Sequence, residues 1–161
     1  MPVQARFRQG RIVWAQMRSK QKGKKEKHPA VIITADSDII QPEQFDPRHD
    51  IGKVNAVAVI GVSTKYLRYP PYVVLPYSPN KGGHTVTKLT QDCGVCIGWY
   101  DWVVLEDDVL ALGGDVPTAE MDQIVEAITK DLKVRLSAHA ARVSSELAGI
   151  NDLLSRLIGE P

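Results

Sequence analysis

The sequence predicts an α+β protein, mainly β, in which a small barrel or curved antiparallel sheet is followed by C-terminal helices. Short apolar runs rich in β-branched residues recur up to about residue 105, separated by Gly- and Pro-rich turns. After residue 118 the apolar residues change to helical spacing. The 161 residues suffice for one well-buried core but not for two ordinary domains.

The strands are predicted from these apolar runs in chain order. Six runs are candidates, at about 11–17, 30–35, 55–63, 72–75, 86–89 and 95–105. The run at 55–63 is apolar on both faces, which predicts a central strand. Breaker residues dominate 36–53, so we expect a long loop there that can include one helical turn.

Helices are predicted in the last third of the chain. Residues 106–112 suggest a short helix ended by two glycines, and a longer helix begins at 118. A heptad-like apolar stripe then follows, formed by Leu136, Ala140, Val143, Leu147, Ile150, Leu154 and Leu157.

One helix over 118–158 would be about 60 Å long, far longer than the barrel. We therefore expect a break near 134–138 and two helices. This divides the chain into a barrel domain with its helix at 1–134 and a helical extension at 135–161. The extension would pack either on its own barrel or on a partner subunit.

Composition and the absence of targeting signals indicate a cytoplasmic protein. Apolar residues make up 43% and charged residues 24% of the chain, as in globular proteins, and the net charge is only +1. The first residues lack the apolar core of a signal peptide. No apolar run approaches the roughly 20 residues that span a bilayer, and two cysteines fit a reducing compartment.

The stretch at 18–27, between the first two strands, is strongly cationic. One acid, Glu26, stands among six basic residues, namely Arg18, Lys20, Lys22, Lys24, Lys25 and Lys27. Such a loop, held at both ends by strands, predicts contact with the phosphates of a nucleic acid. The alternative is a solvated hairpin loop without a ligand.

Two polar groups stand where the predicted strands meet this loop. His28 precedes Pro29, which biases it toward extended geometry, and an imidazole there could act as acid or base. Ser63, Thr64 and Lys65 end the central strand, where hydroxyls beside a cation can orient a phosphate. The alternatives are a surface histidine and ordinary strand-ending residues.

Aromatic residues and cysteines suggest further sites. Tyr66, Tyr69 and Tyr72 could stack on unpaired bases, although tyrosines more often pack in the core. Cys93 and Cys96 have the spacing of half a zinc site, but positions three apart on a strand point to opposite faces. We therefore expect no metal ion and no cofactor.

The order of these pieces resembles the PemK/MazF-like toxins of type II toxin–antitoxin systems. The resemblance covers about 8–133. It rests on GRIVWA at 10–15, HPAVII at 28–33 after a charged loop, VAVIGVS at 57–63, and a closing strand followed by an acidic turn and a helix.

The resemblance implies a fold, an activity and partners. The family fold is a small SH3-like barrel with helices, of the PemK/MazF/CcdB type, usually a homodimer. The family cleaves single-stranded RNA without a metal, through attack of a ribose 2′-hydroxyl on the neighbouring phosphate. The implied partners are single-stranded RNA and an antitoxin protein whose acidic tail covers the basic loop.

The resemblance also places site residues, with departures. His28 stands where the family has a phosphate-stabilising arginine, and Ser63 where it has a serine or threonine. These two are the candidate catalytic residues; the candidate RNA-binding residues are Arg18, Lys20, Lys22, Lys24, Lys25, Lys27, Thr64 and Lys65. Trp99 and Tyr100 occupy positions that often hold an acid and a glutamine, with Asp101 beside them.

These departures leave three functions open. The first is an active endoribonuclease toxin. The second is a non-catalytic module that binds nucleic acid, or a protein such as gyrase, which CcdB-like toxins poison. The third is a structural adaptor assembled through the C-terminal stripe.

Overall fold

A computed structural model describes residues 5–20, 23–46, 48–49 and 55–158. The strands are β1 Arg11–Arg18, β2 Lys25–Ile32, β3 Ala56–Ser63, β4 Tyr72–Leu75, β5 Cys93–Val104 and β6 Val109–Asp115. The helices are α1 Leu105–Asp108 and α2 Thr118–Ile158, and short 3₁₀ turns lie at Asp36–Asp38, Pro42–Gln44 and Tyr66–Arg68. The predicted α+β class, mainly β, is confirmed.

The six strands form one antiparallel sheet in the order β4-β5-β3-β2-β1-β6. The central position predicted for β3 is confirmed, because β5 and β2 flank it. Both faces of β3 are covered. Val57 and Val59 belong to one hydrophobic core cluster, whereas Ile60 and Val62 belong to the other.

The sheet curls on itself. Trp99 of β5 donates an indole N–H to the carbonyl of Arg18 at 2.8 Å, although two strands separate β5 from β1 in the sheet. The N–H of Arg18 in turn donates to the Asp101 carboxylate at 2.8 Å. At the other edge, the amide of Asp115 in β6 donates to the carbonyl of Val86.

Four predictions of secondary structure are wrong. The second strand begins at Lys25 rather than near residue 30, because pairing with β1 continues as far as Arg18. Residues 86–89 form a turn that bonds to β6 instead of a strand. The helix expected over 106–112 ends at Asp108, and the loop at 36–53 contains two helical turns rather than one.

The residues after α1 form a strand because β1 has an unpaired edge that β6 fills. Gly114 is required in this strand. A Cβ there would lie 2.0 Å from the Val86 carbonyl oxygen, so only glycine lets the turn approach the backbone.

The break expected near 134–138 is also wrong, because α2 is one helix of 41 residues. The prediction assumed that the helix would not extend beyond the sheet on which it packs, but it does. Its first turns pack on the sheet through Ile124, whereas every side chain from 132 to 157 is exposed. Within α2 there is no proline, and Gly149 is its one glycine, so few residues disfavour the helix. The described part of the predicted extension, 135–158, therefore continues this helix.

Gly61 determines where β5 can lie. A Cβ on Gly61 would meet three ring carbons of Trp99 at 2.1–2.6 Å, so the indole occupies the space that a side chain would need. The backbone of β3 and the ring of Trp99 are therefore in direct contact, and the position of the ring depends on this glycine.

Replacing Gly61 by alanine should destabilise the protein by roughly 1–3 kcal/mol, as overpacking of a core does. Chemical denaturation followed by tryptophan fluorescence measures this. Gly149→Ala is the matched control, because no atom lies within 4 Å of that site. The control should gain about 1 kcal/mol from helix propensity. Equal stabilities of the Gly61 variant and the native protein would contradict the packing argument.

Candidate nucleic-acid groove

A groove of about 380 Å³ lies where β1, β2 and β3 meet the turn after β3. We call it the His28 groove. Five of the predicted site residues line it, namely Lys20, His28, Ser63, Thr64 and Lys65. Its other lining residues are Trp14, Ser19, Glu26, Pro29, Val62, Tyr69 and Trp99.

His28 lies on β2, opposite Ala15 of β1. Its ring makes a T-shaped contact with the Trp99 ring, with centroids 5.1 Å apart. Its Nε2 is buried, has no hydrogen-bond partner among the described residues, and lies 3.7 Å from a Glu26 carboxylate oxygen. That distance is too long for a hydrogen bond.

Glu26 lines the groove but was not among the predicted site residues, and Trp99 was placed near the site only by the family resemblance. Glu26 was counted only as the lone acid of the loop. The alternation of a strand places Glu26 and His28 on one face, but this signal needs β2 to begin at Lys25. Trp99 reaches the groove only because the sheet curls, and nothing local in the sequence indicates that.

Ser63 ends β3 and fixes the turn that follows. Its Oγ accepts the backbone N–H of Lys65 at 3.0 Å. This local bond is typical of serine at a strand end and orients the hydroxyl relative to the chain. The structure thus brings Ser63, Thr64 and Lys65 to the same groove as His28, as the prediction of a shared phosphate site requires.

The predicted cationic cluster divides between two sides of β2. Lys20 lines the groove, and its Nζ lies 4.6 Å from the centre of the Tyr69 ring. Lys27 lies instead over the Trp14 ring at 5.5 Å, and Lys25 pairs with Asp108 at 3.3 Å.

The remaining predicted RNA-binding residues do not line the groove. The side chains of Arg18 and Lys24 are exposed elsewhere. Lys22 lies outside the described residues. The groove therefore contains two of the predicted basic side chains, Lys20 and Lys65, rather than the whole cluster.

One of the three candidate tyrosines can stack on a base in the groove. Tyr69 lines it. Tyr66 is 6% exposed and its hydroxyl donates to Asp92 at 3.1 Å, so it is a core residue. Tyr72 packs edge-on against Tyr66, with centroids 4.8 Å apart.

The polar side chains of Tyr100 and Asp101 in β5 make hydrogen bonds to other parts of the fold. Tyr100 points away, and its hydroxyl donates to Asp131 of α2 at 2.7 Å. Burial, followed by this hydrogen bond to Asp131, raises the pKa of the Tyr100 hydroxyl. Asp101 accepts the N–H groups of Arg18 and Trp102.

Cys93 and Cys96 are free, buried thiols that belong to different core clusters, as expected for positions on opposite faces. Burial, with a smaller contribution from Asp92, raises the pKa of Cys93 to about 11. Over the part of the chain that the structure describes, no three metal-ligating side chains come together. Within the same residues, no helix is apolar enough over a sufficient length to cross a bilayer.

The raised pKa of Cys93 predicts a pH dependence of stability. The folded protein holds the thiol proton up to about pH 11, whereas the unfolded chain releases it near its ordinary pKa of 9.0. The contribution is therefore complete below pH 9.0 and is lost as pH rises toward 11. Urea denaturation of the native protein and of Cys93→Ser, under reducing conditions, measures it. The variant should lose less stability over this window; identical slopes would contradict the prediction.

Comparison with known proteins adds no family to this description. No family model matches the chain, and no curated protein sequence matches it.

Proposed function

We propose that this chain is a PemK/MazF-like endoribonuclease toxin on an SH3-like barrel, and that it cleaves single-stranded RNA in the His28 groove. One observation carries the proposal: an imidazole, a strand-ending hydroxyl and two lysines line the same groove. These are the groups that cleavage of a phosphodiester by its own 2′-hydroxyl needs.

In this mechanism His28 takes the proton of the 2′-hydroxyl as its oxygen attacks the adjacent phosphorus. The bond from phosphorus to the 5′ oxygen breaks, leaving a cyclic phosphate on one fragment. The imidazolium beside Glu26 returns its proton to the 5′ oxygen. Lys20 and Lys65 stabilise the charge on the phosphorane, and Ser63 orients the phosphate.

The proposal includes partners and a compartment. Tyr69, with Lys20 against its ring, offers a stacking surface for an unpaired base. Lys24, Lys25 and Lys27 lie outside the groove. Their charges are suited to bind either the part of the RNA that flanks the cleavage site or the acidic tail of an antitoxin. A homodimer in the cytoplasm follows from the family resemblance.

A second candidate is a non-catalytic module that binds nucleic acid or a protein such as gyrase. The burial of His28 Nε2 favours it, because a base must reach the proton that it removes. Trp99 and Tyr100 also favour the non-catalytic module, because they stand where the family often has an acid and a glutamine. A metal-free assay on mixed-sequence RNA separates the two, because only the enzyme yields discrete fragments.

His28→Ala should lower the rate of RNA cleavage by about 10²–10⁴-fold, the usual contribution of general acid–base catalysis. Gel analysis of fragments from a mixed-sequence RNA measures it. His139→Ala is the matched control, because His139 is exposed on α2, far along the chain from the groove. Cleavage by the His28 variant at the native rate would remove the proposed role, provided that circular dichroism shows an intact fold.

Lys20→Ala should weaken RNA binding and reduce the salt slope of the binding constant by about 1. Lys25→Ala is the matched control, because this lysine is paired with Asp108 outside the groove. Fluorescence anisotropy of a labelled single-stranded RNA, at several salt concentrations, compares the two. A larger effect at Lys25 than at Lys20 would place the RNA on the other side of β2.

A further inference from the structure

The C-terminal half of α2 carries an apolar stripe that no described part of the chain covers. Its members alternate in steps of four and three residues, from Leu136 to Leu157, which is about 33 Å of helix. Their exposed fractions include 68% at Leu136, 56% at Leu147, 52% at Ile150 and 83% at Leu157. Such an apolar surface on a projecting helix predicts a partner.

The last contacts of α2 with the body lie just before the stripe. Arg135 donates to the carbonyl of Gly98 at 3.3 Å and pairs with Asp131 at 2.9 Å. Beyond it, the ion pair between Arg156 and Asp152 is within the helix itself. The apolar side chains are therefore available along the whole projecting segment.

The positions that flank the stripe are almost uncharged. In heptad terms they are Ser137, His139, Ser144, Glu146, Asn151 and Leu153. The charged residues Arg142, Asp152 and Arg156 lie on the other side of the helix by the same spacing. A strongly charged partner would find no complementary charge here. An identical helix fits, because Glu146 is the one acid among these flanking positions, so like-charge contact between two copies is limited to that residue.

We propose that the occupant is the same helix of a second copy of this chain, in antiparallel orientation. In this register Leu147 lies opposite the partner's Val143, and Leu154 opposite the partner's Leu136. Ile150 lies opposite the partner's Ala140, so a large residue fills the space beside a small one. A parallel pair would instead place Ala140 on the partner's Ala140 and leave a gap.

The antiparallel register also extends the buried surface onto the body. Leu157 would lie opposite the partner's Lys133, and the adjacent Leu132 lines an apolar groove of about 390 Å³ between α2 and the sheet. Trp102 lines the same groove and is 67% exposed. The end of one helix thereby covers an apolar patch that the other copy leaves open, and the two bodies stay at opposite ends.

Light scattering on the full chain tests the association. The 17.8 kDa chain should form an assembly of at least two copies. Leu147→Glu with Ile150→Glu should reduce its mass by half while the helix persists, since glutamate is a good helix former. The matched control is Ser145→Glu with Ser155→Glu, which adds the same charges on the other side and should leave the mass unchanged.

Three results would overturn the association: a monomeric native chain at all concentrations, an unchanged mass in the Leu147/Ile150 variant, or equal dissociation of the control. A larger native assembly that falls to a dimer in the variant supports it. That result would assign the remaining contact to the body.

Cysteine cross-linking tests the orientation independently. A mixture of Val143→Cys and Leu147→Cys chains should form a disulfide between the two variants on oxidation. Each variant alone should not, because like positions are not opposite each other. The native Cys93 and Cys96 are buried, so the native chain serves as the uncross-linked control. Disulfides within each single variant would show a parallel pair and overturn the antiparallel register.

Discussion

The contact between the Trp99 ring and the bare backbone of Gly61 is the constraint on which the rest of the structure depends. Because Gly61 has no side chain, the indole can pack directly against β3 and reach the end of β1. This tie bends the sheet, since it joins strands that are not neighbours. The same indole packs against the His28 ring.

The same bend explains how a functional site arises from ordinary strand residues. His28 comes from β2, Ser63 from the end of β3, and Lys20 from the loop after β1, and no two of them are adjacent in sequence. Curvature brings these ends together on one side of the sheet. Glu26 lies beside His28, whereas the Asp101 carboxylate accepts the N–H of Arg18 and so helps to hold the curved sheet. The proposed chemistry therefore depends on the imidazole, the hydroxyl and the lysines.

Helix α2 combines two different environments in one element. Its first turns are held by burial of Ile124 and by the bond between Tyr100 and Asp131. Its second half has no such support from the described body, yet its sequence favours the helix and its apolar stripe remains exposed. One half of the helix thus packs on its own sheet, while the other half carries the exposed apolar stripe on which the proposed association with a second copy depends.

The sequence alone determined the class of the fold, the central strand, the cationic stretch and the helical stripe. These follow from local periodicity, because alternation and heptad spacing reflect which side chains share a face. His28 and Ser63 could likewise be proposed from their places at predicted strand ends. The toxin family and its activity stay predictions from resemblance.

Only the tertiary structure decided which of these residues meet. It extended β2 to Lys25, placed Glu26 beside His28, separated Lys25 from the groove and turned 109–115 into an edge strand. It also kept α2 continuous, because a helix need not end where the body ends. Strand pairing and ring packing join residues that are far apart in the chain, so no local pattern contains them.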